Sequence, residues 1–391
     1  MWRLLLILIS VAAVQPDITP GCNYYQEVYP NDVFFVASPN YAGSYPKGVT
    51  CKWIASCPYG YCRADCYDVT IPPSYSCSVD KLLISKTGDE NLSDGEMYCG
   101  TGATTVISSG SKISFGLITS SNSPGGRFRC KLTSVNSPYL PSCSCGYKKQ
   151  NRIVNGTETG INEFPMMAAL AARRGGLVAC GAVIIDKRYL MSAAHCFSGS
   201  AKYVVIVGEH DTEADGTSAT RTYNIDGVMV HPQYNSGNND YDVALIRTTT
   251  DMQFSERVGP VCLPFKFRGS SFADTYVTAL GWGTSFFGGP TSNTLQKVRL
   301  RVISDSTCQA KGVSDVTPRQ LCTFEPHKDT CQFDSGGPLL YTDANNGLEY
   351  NIGIVSLGDF CATSKPAVNT RVTDIMDWIT YNSPDATYCI K

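Results

Sequence analysis

The sequence predicts an all-β protein of two domains behind a short N-terminal processing segment. Three observations carry this. The chain has 391 residues, more than one small core organises. Strand-like runs split by Gly, Pro, Asn and Ser clusters recur in both halves, and no segment before Val372 keeps a sustained 3.6-residue apolar period. There are 18 cysteines but only 4 histidines. The cysteines run from Cys22 to Cys389 without a CxxC pair, a pattern of disulfides in an oxidising compartment rather than of metal sites.

Residues 1–14 are the processing segment. Arg3 precedes an apolar run from Leu4 to Val14 that Gln15-Pro16-Asp17 ends. The run is too short to span a bilayer and fits a secretory signal peptide, so a secreted, extracellular protein without a membrane partner is expected. Residues 22–133 hold short runs such as Asp32 to Val36, Lys81 to Ile84 and Lys112 to Phe115. They predict a small antiparallel sandwich whose modest core needs disulfide staples. Residues 134–152, with Pro138, Pro141, Cys143, Cys145 and a polar tail ending at Arg152, read as a linker. Residues 153–388 predict a second, larger all-β domain. Its one helix is terminal, Val372 to Tyr381, with Ile375, Met376, Trp378 and Ile379 on the apolar face. Formal net charge is −2, from 32 basic and 34 acidic residues, and no basic stripe invites nucleic acid.

The second domain contains the parts that amide hydrolysis needs: a nucleophile, a base, a carboxylate to hold the base, and donors for the oxyanion. Ser335 lies in a glycine-rich turn, Asp334-Ser335-Gly336-Gly337-Pro338. His195 follows a strand-like run in Met191-Ser192-Ala193-Ala194-His195-Cys196, and Asp242 opens the apolar run Asp242-Val243-Ala244-Leu245-Ile246. The chain order His, Asp, Ser belongs to one of the convergent triads.

With AAHC, DVAL and DSGGP in that order, the stretch from Ile153 to about Tyr381 resembles the chymotrypsin-like serine proteases. The resemblance implies a double β-barrel with a C-terminal helix. Ser335 becomes the nucleophile, His195 the base and then the acid, and Asp242 the carboxylate that fixes the imidazole tautomer. The backbone N–H groups of Ser335 and Phe333 form the oxyanion hole, and Ser356 sits beside the triad on the substrate-binding strand. Disulfides Cys180–Cys196, Cys308–Cys322 and Cys331–Cys361 follow from the same likeness. Arg152-Ile153-Val154-Asn155-Gly156 resembles the family's activation junction. Cleavage there, by a trypsin-like protease, frees an ammonium on Ile153 that pairs with Asp334, so the chain is expected to be a zymogen. A disulfide tether from Cys143 or Cys145 to Cys262 or Cys389 is expected, with the pairing left open. His210, His231 and His327 are expected on loops or the surface.

Asp329 stands where trypsin-like members form the floor of the primary pocket, with Gly358 at its mouth and Ala367 near the floor. A carboxylate there favours protein substrates with exposed Arg or Lys, because an apolar side chain would leave it unpaired. Phe333 stands where the family has glycine. It keeps the oxyanion donor but narrows the leaving-group side, so an active but selective enzyme is expected. No cofactor is implied.

Residues 22–133 resemble a CUB domain, through Ser38-Pro39-Asn40-Tyr41, Tyr45-Pro46 and Met97-Tyr98-Cys99-Gly100. The resemblance implies Cys22–Cys51 and Cys77–Cys99, and leaves Cys57–Cys62 and Cys66–Cys130 for the extra cysteines. It also implies an extracellular protein partner. Many CUB domains hold calcium with acidic residues, but here only Asp80 matches, and a hard cation needs several oxygen ligands. Glu209 and Glu213 read as acidic residues of a solvated loop, so no metal is expected. Asn91-Leu92-Ser93 is a glycosylation sequon, Asn91 its acceptor, whereas a glycan on Asn155 would crowd the inserting terminus. The whole arrangement resembles arthropod CUB-serine proteases of venom, saliva or haemolymph. A catalytically weak homologue acting as a binding protein and a broad digestive enzyme are the competing readings.

Overall fold

The computed structural model describes residues 18–19, 22–136, 143–149, 158–174, 176–213, 217–284, 290–326, 334–357 and 365–391. The chain divides into two compact units, Met1–Leu140 and Pro141–Lys391. No helix of the described residues is long and apolar enough to cross a membrane.

The first unit is a sandwich of two five-stranded sheets. One contains Ile18–Thr19, Phe34–Ala37, Arg127–Val135, Tyr61–Ile71 and Gly100–Ile107, in that order. The other contains Tyr24–Glu27, Thr50–Ser56, Lys112–Thr119, Asp80–Ser85 and Glu96–Tyr98. Alternation decides the buried face: Cys51, Trp53 and Ala55 point inward from one strand, and Ile113, Phe115 and Leu117 from its neighbour. Trp53 meets Phe128 edge-on across the core at 5.4 Å. Both sheets are largely antiparallel, but Ile18–Thr19 and Tyr24–Glu27 pair parallel to their neighbours at the edges. Four disulfides join Cys22 to Cys51, Cys57 to Cys62, Cys66 to Cys130, and Cys77 to Cys99.

The second unit contains two closed six-stranded barrels. Strands Met167–Ala171, Val178–Ile184, Tyr189–Ser192, Ala244–Thr248, Arg221–Val230 and Val204–Val207 close the first. Strands Tyr276–Gly281, Gln296–Ile303, Gln320–Thr323, Ala367–Arg371, Glu349–Leu357 and Pro338–Thr342 close the second. Closure leaves no unpaired sheet edge. The expected terminal helix is broken: a 3₁₀ turn, Val372–Asp374, precedes the α-helix Met376–Tyr381, because Ile375 between them leaves helical geometry at φ −112°, ψ 6°. A short helix that the apolar pattern does not announce, Asp305–Ala310, is capped by Ser304, whose hydroxyl accepts the Thr307 N–H. Cys308 on it bonds Cys322.

The end of the predicted linker is not loose. Residues 143–149 lie on the second unit as a strap, with Cys143 bonded to Cys389 and Cys145 to Cys262. The Gly146 N–H donates to Pro260 O, the Glu349 N–H to Gly146 O, and the Lys149 N–H to Glu163 O, at 2.8 to 2.9 Å. Gly146 has φ +68°, and a Cβ there would lie 2.5 Å from the Glu349 carbonyl oxygen. No other residue fits this position. The Lys148 ammonium reaches the buried Glu349 carboxylate at 3.5 Å.

Candidate active site

Neighbouring strands of the first barrel deliver His195 and Asp242 side by side. His195 lies in the turn Ala194–Phe197, just past Tyr189–Ser192, and Asp242 lies just before Ala244–Thr248. Ser192 pairs with Ala244. The Cys180–Cys196 disulfide ties the histidine turn to the strand Val178–Ile184. Asp242 is fully buried. Its Oδ1 accepts the His195 backbone N–H at 2.9 Å, and its Oδ2 lies 2.7 Å from His195 Nδ1. The Ser356 hydroxyl donates to the same Oδ2, and the Thr370 hydroxyl donates to the Asp242 carbonyl at 2.7 Å. With Nδ1–H held by the carboxylate, Nε2 keeps its lone pair and can accept a proton.

Backbone bonds fix Ser335 against both barrels. The Gly181 N–H donates to Ser335 O, the Gly336 N–H to Val355 O, and the Val355 N–H to Gly337 O, each at 2.8 Å. Gly336 has φ +81°, and a Cβ would fall 2.2 Å from Ser192 Oγ. This explains why the Ser335 turn is written with glycine. The Ser335 hydroxyl donates to the Ser356 carbonyl at 3.4 Å. Ser356, expected beside the triad, thus touches both Asp242 and Ser335. Asp334 accepts the Gly283 N–H at 2.9 Å. Ala367 is buried at the head of Ala367–Arg371, opposite Thr323. Arg152, Ile153, Asp329, Phe333, Gly358, His327 and the Cys331–Cys361 pair lie outside the described residues.

Two of the histidines expected on loops or the surface are buried. His210 is 6% exposed, with Nε2 3.1 Å from Glu158 Oε1. His231 is also 6% exposed, stacked on Tyr241 at 4.2 Å and tilted against Trp378 at 4.8 Å. That burial lowers its pKa from 6.5 to about 4. Glu209 is likewise buried, not solvated. Burial raises its pKa, while its carboxylate accepts the His210 N–H at 3.0 Å. Thr370 and Tyr241 carry no motif that marks them as neighbours of Asp242. Tyr241, directly before Asp242, has φ +55°, a left-handed conformation that costs a bulky residue about 1–3 kcal/mol.

In the first unit, Asp80 is buried and takes the Tyr45 hydroxyl at 3.0 Å, the Ser120 N–H at 2.9 Å and the Ser123 hydroxyl at 2.5 Å. Its carboxylate thus serves as a core acceptor. Burial, then Asp80, raises the pKa of the Tyr45 hydroxyl. Asn91 is exposed in a turn where Asp89 accepts the N–H groups of Asn91 and Ser93. Cys180, His195 and Cys196 converge within 4.8 Å, but the two sulfurs are joined to each other.

Comparison with known proteins agrees with this geometry. The trypsin model matches residues 153–379, and the CUB domain model matches residues 25–132. The chain is 36% identical over 392 residues to venom serine protease 34 of Apis mellifera, an alignment covering 98% of this chain and 92% of that one. It is 41% identical over 255 residues to a venom serine protease of Polistes dominula, covering 63% of this chain and 91% of that one. Alkaline trypsin C of Manduca sexta is 35% identical over 245 residues, or 59% and 91% of the two chains. The chain belongs to the trypsin family of serine proteases, with a CUB domain ahead of its trypsin domain.

Proposed function

We propose that the protein is a secreted endopeptidase zymogen, cut between Arg152 and Ile153 by a trypsin-like protease and then hydrolysing protein substrates after exposed Arg or Lys. The observation that carries this reading is the pairing of a partly exposed His195 with the buried Asp242, braced by Ser356 and set beside the Ser335 turn. In the reaction, His195 Nε2 takes the Ser335 hydroxyl proton as Oγ attacks the scissile carbonyl. Asp242 holds the imidazole and balances the charge it acquires. The backbone N–H groups of Ser335 and Phe333 receive the oxyanion. The protonated imidazole then gives its proton to the leaving amine, and water, deprotonated by the same Nε2, clears the acyl-enzyme.

In the intact chain the Ser335 hydroxyl is turned to the Ser356 carbonyl. Cleavage would bring the Ile153 ammonium to Asp334, order the oxyanion loop and release Ser335 toward His195. Asp329 would pair with the substrate cation, and Ala367 would adjust the choice between Lys and Arg. Secretion is supported by the N-terminal apolar run, by eight disulfides among the described residues, and by relatives named as venom proteases. The CUB domain would bind an extracellular protein partner. Asn91, exposed in its turn, would carry the glycan.

The test compares hydrolysis of small Arg and Lys peptides by the intact chain, the chain nicked after Arg152, and nicked Ser335→Ala. Turnover should appear only in the nicked form and fall by several orders of magnitude with the substitution. A folded, verifiably nicked protein without turnover would sink the reading and favour a binding role, with Phe333 closing the oxyanion site.

A further inference from the structure

The residue before the triad carboxylate is held in an unfavourable conformation by contacts from two separate places, one of them backed from a third. Tyr241 sits at φ +55°, with its carbonyl accepting the Val243 N–H at 2.7 Å. The Tyr241 N–H also donates to Asp240 Oδ1 at 3.1 Å, but the residue type itself does not favour this state, since tyrosine has neither the freedom of glycine nor the short polar side chain of asparagine. What favours it comes from elsewhere. His231, just past the strand Arg221–Val230, stacks on the Tyr241 ring at 4.2 Å with 13° between planes. Trp378, on the terminal helix, backs His231. The Arg319 guanidinium, beside the second-barrel strand Gln320–Thr323, lies 4.8 Å from the Tyr241 ring centroid.

Arg319 also pairs with Asp240 at 2.5 Å, and two of its neighbours reach the same loop. The Thr317 hydroxyl donates to Asp240 Oδ1, and the Gln320 amide donates to Asn238 O, both at 2.8 Å. An ion pair with one partner still partly exposed stabilises little by itself. Here one guanidinium holds both Asp240 and the Tyr241 ring, and the next residue is Asp242.

We propose that Arg319 and His231 are positioning residues: they grip Tyr241, hold the left-handed turn, and so aim the Asp242 carboxylate at His195. This rests on the reading of Asp242 as the triad carboxylate. The grip spans the two barrels, so triad geometry depends on the register between them. Arg319 works through Asp242 without touching substrate.

The experiment uses the full chain nicked after Arg152, with Arg319→Met, Arg319→Lys, Tyr241→Asn and the Arg319→Met/Tyr241→Asn double variant. Asparagine tolerates the left-handed turn, so it removes the need for the grip. Arg319→Met should lower kcat about tenfold while KM stays within about twofold, and Arg319→Lys should fall between. A carboxylate aimed less well supports the imidazolium less, so the acid limb of kcat/KM should move down by about half a pH unit. In the Tyr241→Asn background, Arg319→Met should cost less than about twofold. The low-field proton resonance of the His195–Asp242 hydrogen bond should shift or broaden in Arg319→Met. Unchanged kcat, pH limb and resonance in a folded Arg319→Met protein would overturn the proposal. So would the same loss in both backgrounds. If the nicked parent has no turnover, the catalytic reading fails, and the resonance still decides whether Arg319 orients this pair.

Discussion

His231 illustrates how a single side chain can set an acid limit on the fold. It is buried between Tyr241 and Trp378, and its pKa lies near 4 rather than the ordinary 6.5. Below pH 6.5 the unfolded chain binds a proton that the folded chain refuses, so stability falls as pH drops toward 4. Below about 4 both states carry the proton and the loss stops growing. The slope should approach about 1.4 kcal/mol per pH unit within that window. His231→Phe keeps the stack and removes the proton site, so its melting temperature should decline less between pH 6.5 and 4 than that of the parent. Parallel decline in both proteins would refute the assignment. In the sequence, His231 precedes a proline in a polar stretch and reads as a loop or surface residue; it does lie in a loop, but a buried one. Its burial depends on aromatic residues brought over by the terminal helix and the Asp242 turn, which no local window contains. His195, Asp242 and Ser335 were legible as candidates for the opposite reason: each lies in a short motif that states its own local geometry.

Among the elements, the strap of residues 143–149 shows how a segment without regular structure can be fixed. Its cysteines and polar tail identify a tether, but connectivity depends on where Cys262 and Cys389 come to lie, and spacing does not encode that. The close approach of Gly146 to Glu349 was equally hidden, because the two meet only once the barrel closes. Gly146→Ala would place a methyl group 2.5 Å from a carbonyl oxygen at φ +68°. The trypsin unit should lose at least about 2 kcal/mol, seen as an earlier midpoint in denaturant. An unchanged midpoint would mean that the strap yields at no cost. The terminal helix was foreseen from its apolar face, but its break at Ile375 was not, since periodicity reports the buried side and not continuity.

For the molecule as a whole, the two strap disulfides decide what a cut after Arg152 would do. Cys143 and Cys145 precede Arg152, whereas Cys262 and Cys389 follow it. After nicking, one band should persist without reductant and two should appear with it. Replacing Cys143 and Cys389 by Ser should leave the pieces joined, and only the further loss of Cys145 and Cys262 should part them. Separation of the pieces in nicked parent protein without reductant would contradict the pairing. The all-β class of both halves was legible in the sequence from breaker spacing and cysteine number, while the parallel edge pairings in the first unit depend on long-range register. The same two bonds also have a topological meaning. In the intact chain they close two rings, and a cut after Arg152 would fall inside both, leaving one. A cut there would therefore give up one ring closure, a restraint on the unfolded chain of about 5 kcal/mol in the chain-entropy account for loops of 117 to 246 residues. Under the proposed activation, a freed Ile153 terminus would have to return a comparable amount for the nicked protein to be as durable as the intact chain.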